Sequence, residues 1–234
     1  MIPKLTRPEY STTIPSSGKK IKYHPFTVKE EKILMLAAEG GDQEEITNAV
    51  INCLTTCISS PSDVNVESLA LFDIEYLFLK TRSKSVGEVI NVLLTDPDDE
   101  DFSTDVEINI DKIGVKKTEG HSKLIKFDED VSVQMKYPDI SFFSSGIDLS
   151  SISSTIDLVA RCVDQIIVGD EVHNKEDMSF EEITEWVEGC SQKHFSQFVE
   201  FFSTMPKMSH TITAKNTNTK KNFSVTLEGL ADFF

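Results

Sequence analysis

Two stretches of the chain place reactive side chains at spacings where chemistry is conceivable. Cys53 and Cys57 stand four residues apart, one helical turn, so both sulfurs face the same way. Such a pair could supply two ligands of a metal, but no second Cys or His pair completes a set, and the neighbours are apolar. Buried free thiols are the stronger reading for these two and for Cys162 and Cys190. The second stretch, DPDDEDFS, gathers Asp96, Asp98, Asp99, Glu100 and Asp101. A calcium loop of the helix–loop–helix type needs Gly at its sixth position and a bidentate Glu at its twelfth. Counted from Asp96, those positions hold Asp101 and Glu107, and the flanks read as strands. A solvated hairpin tip is therefore expected, with no metal. The five His residues (His24, His121, His173, His194, His210) are scattered. No nucleophile elbow, phosphate loop, zinc-protease helix or dinucleotide fingerprint occurs. Paired carboxylates are too plentiful to single out a glycosidase dyad. The residues point to no catalytic site and no cofactor.

The elements that would carry these groups read as a mixture of helices and hairpins. Residues 1–18 hold Pro3, Pro8 and Pro15 among Ser and Thr, an extended arm with little core of its own. Ile21 to Phe26 alternates as a short strand, placed at an edge by Pro25. Thr27 opens a capping box with Glu30, and the helix runs to Gly40-Gly41. Asp42 opens a second helix, with Ile46, Val50, Cys53, Leu54 and Cys57 on one face.

The most apolar stretch is LALFDIEYLFLKTRSKSVGE, Leu69 to Glu88. It is apolar nearly all round as far as Lys80, the mark of a helix buried on most sides. Phe72, Tyr76 and Leu77 are expected in its core. Its basic end, Lys80, Arg82 and Lys84, suits a helix C-terminus, with Asp73 and Glu75 as the favoured acidic partners.

Strands follow at Glu88–Thr95, Thr104–Ile110, Ser122–Phe127 and Val131–Tyr137. A helix from about Ser151 carries Ile156, Val159, Val163 and Ile167, and Gly169–Met178 reads as a polar loop. Ser179 and Glu182 form another capping box, ahead of a helix bearing Trp186. A further helix, Gln192 to Met205, places Phe198 and Phe202 in the core. Two alternating segments, Met208–Lys215 and Asn222–Glu228, close the chain.

The expected fold class is α+β: N-terminal helices, a central, mainly antiparallel sheet of hairpins, then C-terminal helices and a final hairpin. A Phe-rich helix followed by a hairpin occurs twice, which suggests an internal repeat. Beyond the arm, residues 19–234 read as one domain, divisible into related halves of about 19–138 and 139–234.

Bulk properties narrow the partners. The chain has 234 residues, 23 Lys and Arg against 39 Asp and Glu, and a formal charge of −16. That surface repels phosphate backbones and anionic membranes, which argues against nucleic acid. No run is long and apolar enough for a membrane span, and the N-terminus has no signal-peptide core. What stands out is apolar groups with no evident place inside: Tyr10 and Ile14 in the arm, Phe142-Phe143, and the terminal Phe233-Phe234. Exposed apolar groups rimmed by polar ones mark protein contacts.

Five blocks, PSSGKKIKYHPFTVKEEKILMLAAEG, LFDIEYLFLKTRSKSVGE, VQMKYP, FFSTMP and LEGLADFF, resemble the baseplate hub and hub-assembly proteins of T-even-type contractile-tailed phages. The resemblance runs from about Pro15 to the end. It implies a non-enzymatic tail-morphogenesis protein, assembled in the host cytoplasm and located in the virion's tail baseplate. The partners it implies are other hub and tail proteins, with a homo-oligomer also open. It implies a structural hub subunit, the alternative being an assembly chaperone absent from the mature virion. A tail-associated cell-wall hydrolase is the competing reading from another class.

Overall fold

A computed structural model describes residues 6–140 and 151–228. Phe142, Phe143, Phe233 and Phe234 lie outside the described residues. Six α-helices and twelve strands are seen among those described, and every strand pairing there is antiparallel. The fold is α+β: two short strands and three helices dominate the N-terminal part, hairpins the middle, and further helices precede the hairpin that closes the described chain. Contacts divide it into two compact units, one running up to Lys116 and resuming at Lys207, the other Lys117–Pro206. The division thus falls at 116/117 and 206/207, because the last hairpin returns to the N-terminal unit. That long-range return has no local sequence signal.

In the first unit, β1 (Tyr10–Thr13), β2 (Lys20–Tyr23) and β3 (Ile58–Ser60) form a small sheet with β2 in the centre. Two expectations are corrected here. Pro25 lies beyond β2, so it does not force that strand to an edge. The arm is not coreless either: it supplies β1, and Ile14 is 1% exposed. The β1–β2 turn closes through Ile14 and Gly18, whose φ of 71° suits glycine.

Helix α1 (Val28–Gly40) starts at the Thr27–Glu30 capping box and ends at Gly41 in the left-handed region. Asp42 then caps α2 (Gln43–Cys57), accepting from the Glu44 and Glu45 N–H groups. Helix α3 (Leu71–Ser85) buries Phe72, Ile74, Leu77, Phe78 and Leu79, together with Asp73, Glu75, Thr81 and Ser83. Tyr76 is half-buried, and its hydroxyl shares a 3.0 Å hydrogen bond with Thr12 Oγ1 of the arm.

Strand β4 (Val89–Asp96) and β5 (Asp99–Asn109) form a hairpin whose turn is only Pro97-Asp98. The acidic stretch is thus mostly strand. Asp96 is 3% exposed, which corrects its reading as part of a solvated tip. β6 (Val115–Lys116), β11 (Lys207–Lys215) and β12 (Asn222–Glu228) form a second sheet, with β11 in the middle. Both hairpins and α3 share one core of Leu79, Leu94, Ile108, Ile110, Ile113, Met208, Ile212, Phe223 and Leu227.

The second unit packs α4 (Ile152–Cys162), α5 (Phe180–Glu188) and α6 (Gln192–Thr204) on a four-stranded sheet. Its strand order is β10 (Glu171–Asn174), β9 (Val163–Val168), β8 (Val131–Met135), β7 (Leu124–Lys126). Phe198 is fully buried there beside Phe201, while Trp186 and Phe202 pack partly buried against the same core. Phe127 stacks on Trp186 at 6.0 Å and 9°. The expected helix through Ile167 ends at Cys162. Val163–Val168 is instead a strand, and the expected polar loop contains its partner. Val168 pairs Glu171, so Gly169-Asp170 is a two-residue turn, and Gly169 takes a φ of 58°.

The helix-then-hairpin order does recur, as α3 with β4–β5 and α6 with β11–β12. The two hairpins pack together in the first unit, whereas α6 belongs to the second. The recurrence is one of element order.

Candidate functional site: an apolar groove on the first unit

Helix α1 carries Ile33, Leu34, Met35 and Leu36 in succession. Four consecutive positions span more than one face of a helix, so they cannot all turn inward. Leu34 is buried, while Ile33, Met35 and Leu36 are 46%, 58% and 55% exposed. Beside them, Val86 at the end of α3 is 57% exposed.

Met35 and Val86 stand at a groove of about 380 Å³ lined by Phe26, Glu31, Leu34, Met35, Ala38 and Glu39 on one side and Phe78, Arg82 and Val86 on the other. Its walls are held by hydrogen bonds. Phe26 N–H donates to Ser85 Oγ at 2.9 Å, and Ser85 Oγ donates to the Thr81 carbonyl at 2.7 Å. The segment entering α1 is thereby tied to the last turn of α3.

Three charged side chains line the otherwise apolar groove: the carboxylates of Glu31 and Glu39 and the guanidinium of Arg82. The Arg82 guanidinium is left incompletely paired. Its Nη1 is buried with no hydrogen-bond partner among the described residues. Burial pulls the guanidinium below its usual pKa, against the opposing field of Glu31. A guanidinium stays charged under any ordinary condition, so an unmet donor there is a real cost.

The rest of the basic run is satisfied inside the unit, though not by the expected acids. Lys80 pairs with Asp111 at 3.6 Å, and Lys84 with Glu88 at 2.5 Å and Asp111 at 3.3 Å. Asp73 instead accepts the Ser16 N–H at 2.9 Å. Glu75 is buried, and its carboxyl is pushed up to about 7 by burial and by the nearby Glu228. The expected acids fail because they sit at least five positions earlier along the axis of α3, beyond the i,i+3 and i,i+4 neighbours, while Asp111 arrives from the turn after β5.

The other sequence-level candidates are dispersed. Tyr10 is half-buried, 5.9 Å from the Tyr23 ring, with Lys84 Nζ 5.7 Å from its ring centre. Ile14 is interior, which removes it as an exposed contact in the free chain. Cys53 and Cys57 lie together and buried, and the hydrogen bond with Cys57 and burial push the Cys53 thiol up. Burial pushes Cys162 up to about 12 and raises Cys190 as well. Thiols shifted that way are poor nucleophiles at neutral pH. Among the described residues, no three His, Cys, Asp or Glu side chains gather as metal ligands. No helix there is long and apolar enough to cross a membrane.

A family model described as T4 bacteriophage base plate protein matches residues 7–234. The chain belongs to that family. No curated protein sequence and no solved structure matches it. Membership places the chain in the tail baseplate of a T4-type phage and makes other tail proteins its partners. The blocks quoted from the sequence lie within the matched residues. Sequence reasoning missed the groove itself; the signal was the unbroken Ile33–Leu36 run, too apolar for a surface helix with one buried stripe.

Proposed function

We propose that the chain is a structural subunit of the baseplate's central hub, acting without catalysis through docking of other hub proteins. The observation that supports this reading is the groove between α1 and α3. Apolar side chains held at its mouth gain roughly 25 cal/mol for each Å² removed from water when a partner covers them. Arg82, whose Nη1 is left without an acceptor, adds orientation, because a guanidinium donates to a partner's acceptor in only a few geometries. The subunit folds in the host cytoplasm and joins the hub as its neighbours bury these surfaces.

Met35→Glu combined with Val86→Glu tests the reading in a phage complementation assay. Both positions are more than half exposed, so folding should be retained, with a melting temperature near that of the parent. Incorporation into baseplates should fall at least tenfold. Normal incorporation of the double variant would remove the groove as a docking surface.

A further inference from the structure

The second unit contains a pocket with the opposite electrostatic character to the molecule as a whole. Lys136, Arg161 and Lys175 line a cavity of about 110 Å³, together with Tyr137, Pro138, Asp139 and Cys162. Acids outnumber bases 39 to 23 in the chain, yet here three cations meet one carboxylate. The cations come from three separate places: Lys136 just after β8, Arg161 at the end of α4, and Lys175 in the turn after β10. Their meeting is a product of the fold rather than of a basic run in the sequence.

The C-terminus of α4 accounts for part of this. Lys175 Nζ donates to the Arg161 carbonyl, and the Lys136 main-chain N–H donates to the Cys162 carbonyl at 2.7 Å. Arg161 lies over the Phe180 ring, 5.2 Å from its centre. A helix end, however, carries only about half a negative charge. None of the three cations forms an ion pair among the described residues. Burial, and next to it the Lys136 ammonium, pull Lys175 below its ordinary pKa. Like charges held together in a partly enclosed space cost free energy until an anion joins them.

We infer that this pocket binds a carboxylate, of the kind an Asp or Glu side chain of a docking protein presents. The volume suits that group, since a water molecule occupies roughly 30 Å³ and a carboxylate with one methylene about twice that. Three donor-only side chains suit an acceptor-only group. The strong negative charge of the remaining surface keeps acidic partners away from other places, so attraction is local to this pocket. The inference is independent of the groove on the first unit.

Thermal unfolding of the full chain in glutarate, with sodium chloride at equal ionic strength as the control, tests it. Glutarate at about ten times its dissociation constant should raise the melting temperature by about 3–6 °C beyond the chloride control. Lys136→Gln combined with Lys175→Gln should abolish that extra rise. Arg161→Gln, at an exposed position, should reduce it and serves if the double variant does not fold. An equal shift in chloride, or a rise that survives the substitutions, overturns the inference. So does a rise with inorganic phosphate and none with glutarate, which would make the site a phosphate site instead.

Discussion

Asn216 donates from Nδ2 to Asp96 Oδ2 at 2.7 Å, bridging 120 positions of sequence. The same nitrogen donates to Asp99 Oδ2 at 3.0 Å, while Asn216 Oδ1 accepts the Asn218 and Thr219 N–H groups. One fully buried amide therefore shapes its own turn and clamps the tip of the β4–β5 hairpin to that of β11–β12. Asn216→Ala should leave the buried Asp96 carboxylate without this donor and destabilise the protein by about 2–3 kcal/mol, read by urea denaturation. A change under about 0.5 kcal/mol would show that the clamp contributes nothing measurable.

Helix α3 gives a second, graded prediction. Phe78 is 1% exposed and Tyr76 only half-buried. Phe78→Ala should cost about 3–5 kcal/mol through lost burial and the cavity it leaves. Tyr76→Phe should cost about 1 kcal/mol, the worth of the single bond to Thr12. Chemical unfolding of both variants checks the order, and a Tyr76→Phe loss equal to that of Phe78→Ala would contradict it.

Glu75 makes stability depend on pH. Its folded pKa of about 7 lies above the ordinary 4.5, so between those values the unfolded chain releases a proton that the folded one keeps. The stabilisation is complete below pH 4.5 and is lost as pH rises through 7, on the order of 3 kcal/mol in all. Glu75→Gln should flatten the stability profile across that window and make the protein more stable than the parent at pH 8. Parallel profiles for the two proteins would show that Glu75 titrates normally.

Much of this fold is legible residue by residue. Thr27–Glu30 and Ser179–Glu182 are reciprocal capping boxes in the structure, and Asp42 and Ser151 cap where their helices begin. Those signals are local, so sequence carries them. The β9 strand was hidden because Val159, Val163 and Ile167 also fit a helical period. The Gly169-Asp170 turn between two β-branched runs was the available clue. The Lys84–Glu88 pair is local and within reach of the sequence, but the Asp111 pairs and the Asn216 clamp could not be read, since they join residues more than twenty positions apart. The groove was half legible: α1 displayed too many apolar residues in a row, but the opposing wall on α3 depends on tertiary packing. The three cations of the second-unit pocket are unconnected in sequence and meet only in space.

A structural subunit stays in the baseplate hub after assembly. Quantitative mass spectrometry of purified, finished virions decides whether this chain does. A structural subunit should be present in a fixed ratio to the other baseplate proteins, at one or a few whole multiples per tail. Absence from infectious particles, with the chain abundant in infected cells, would contradict the structural role and make it an assembly factor that departs before the tail is complete.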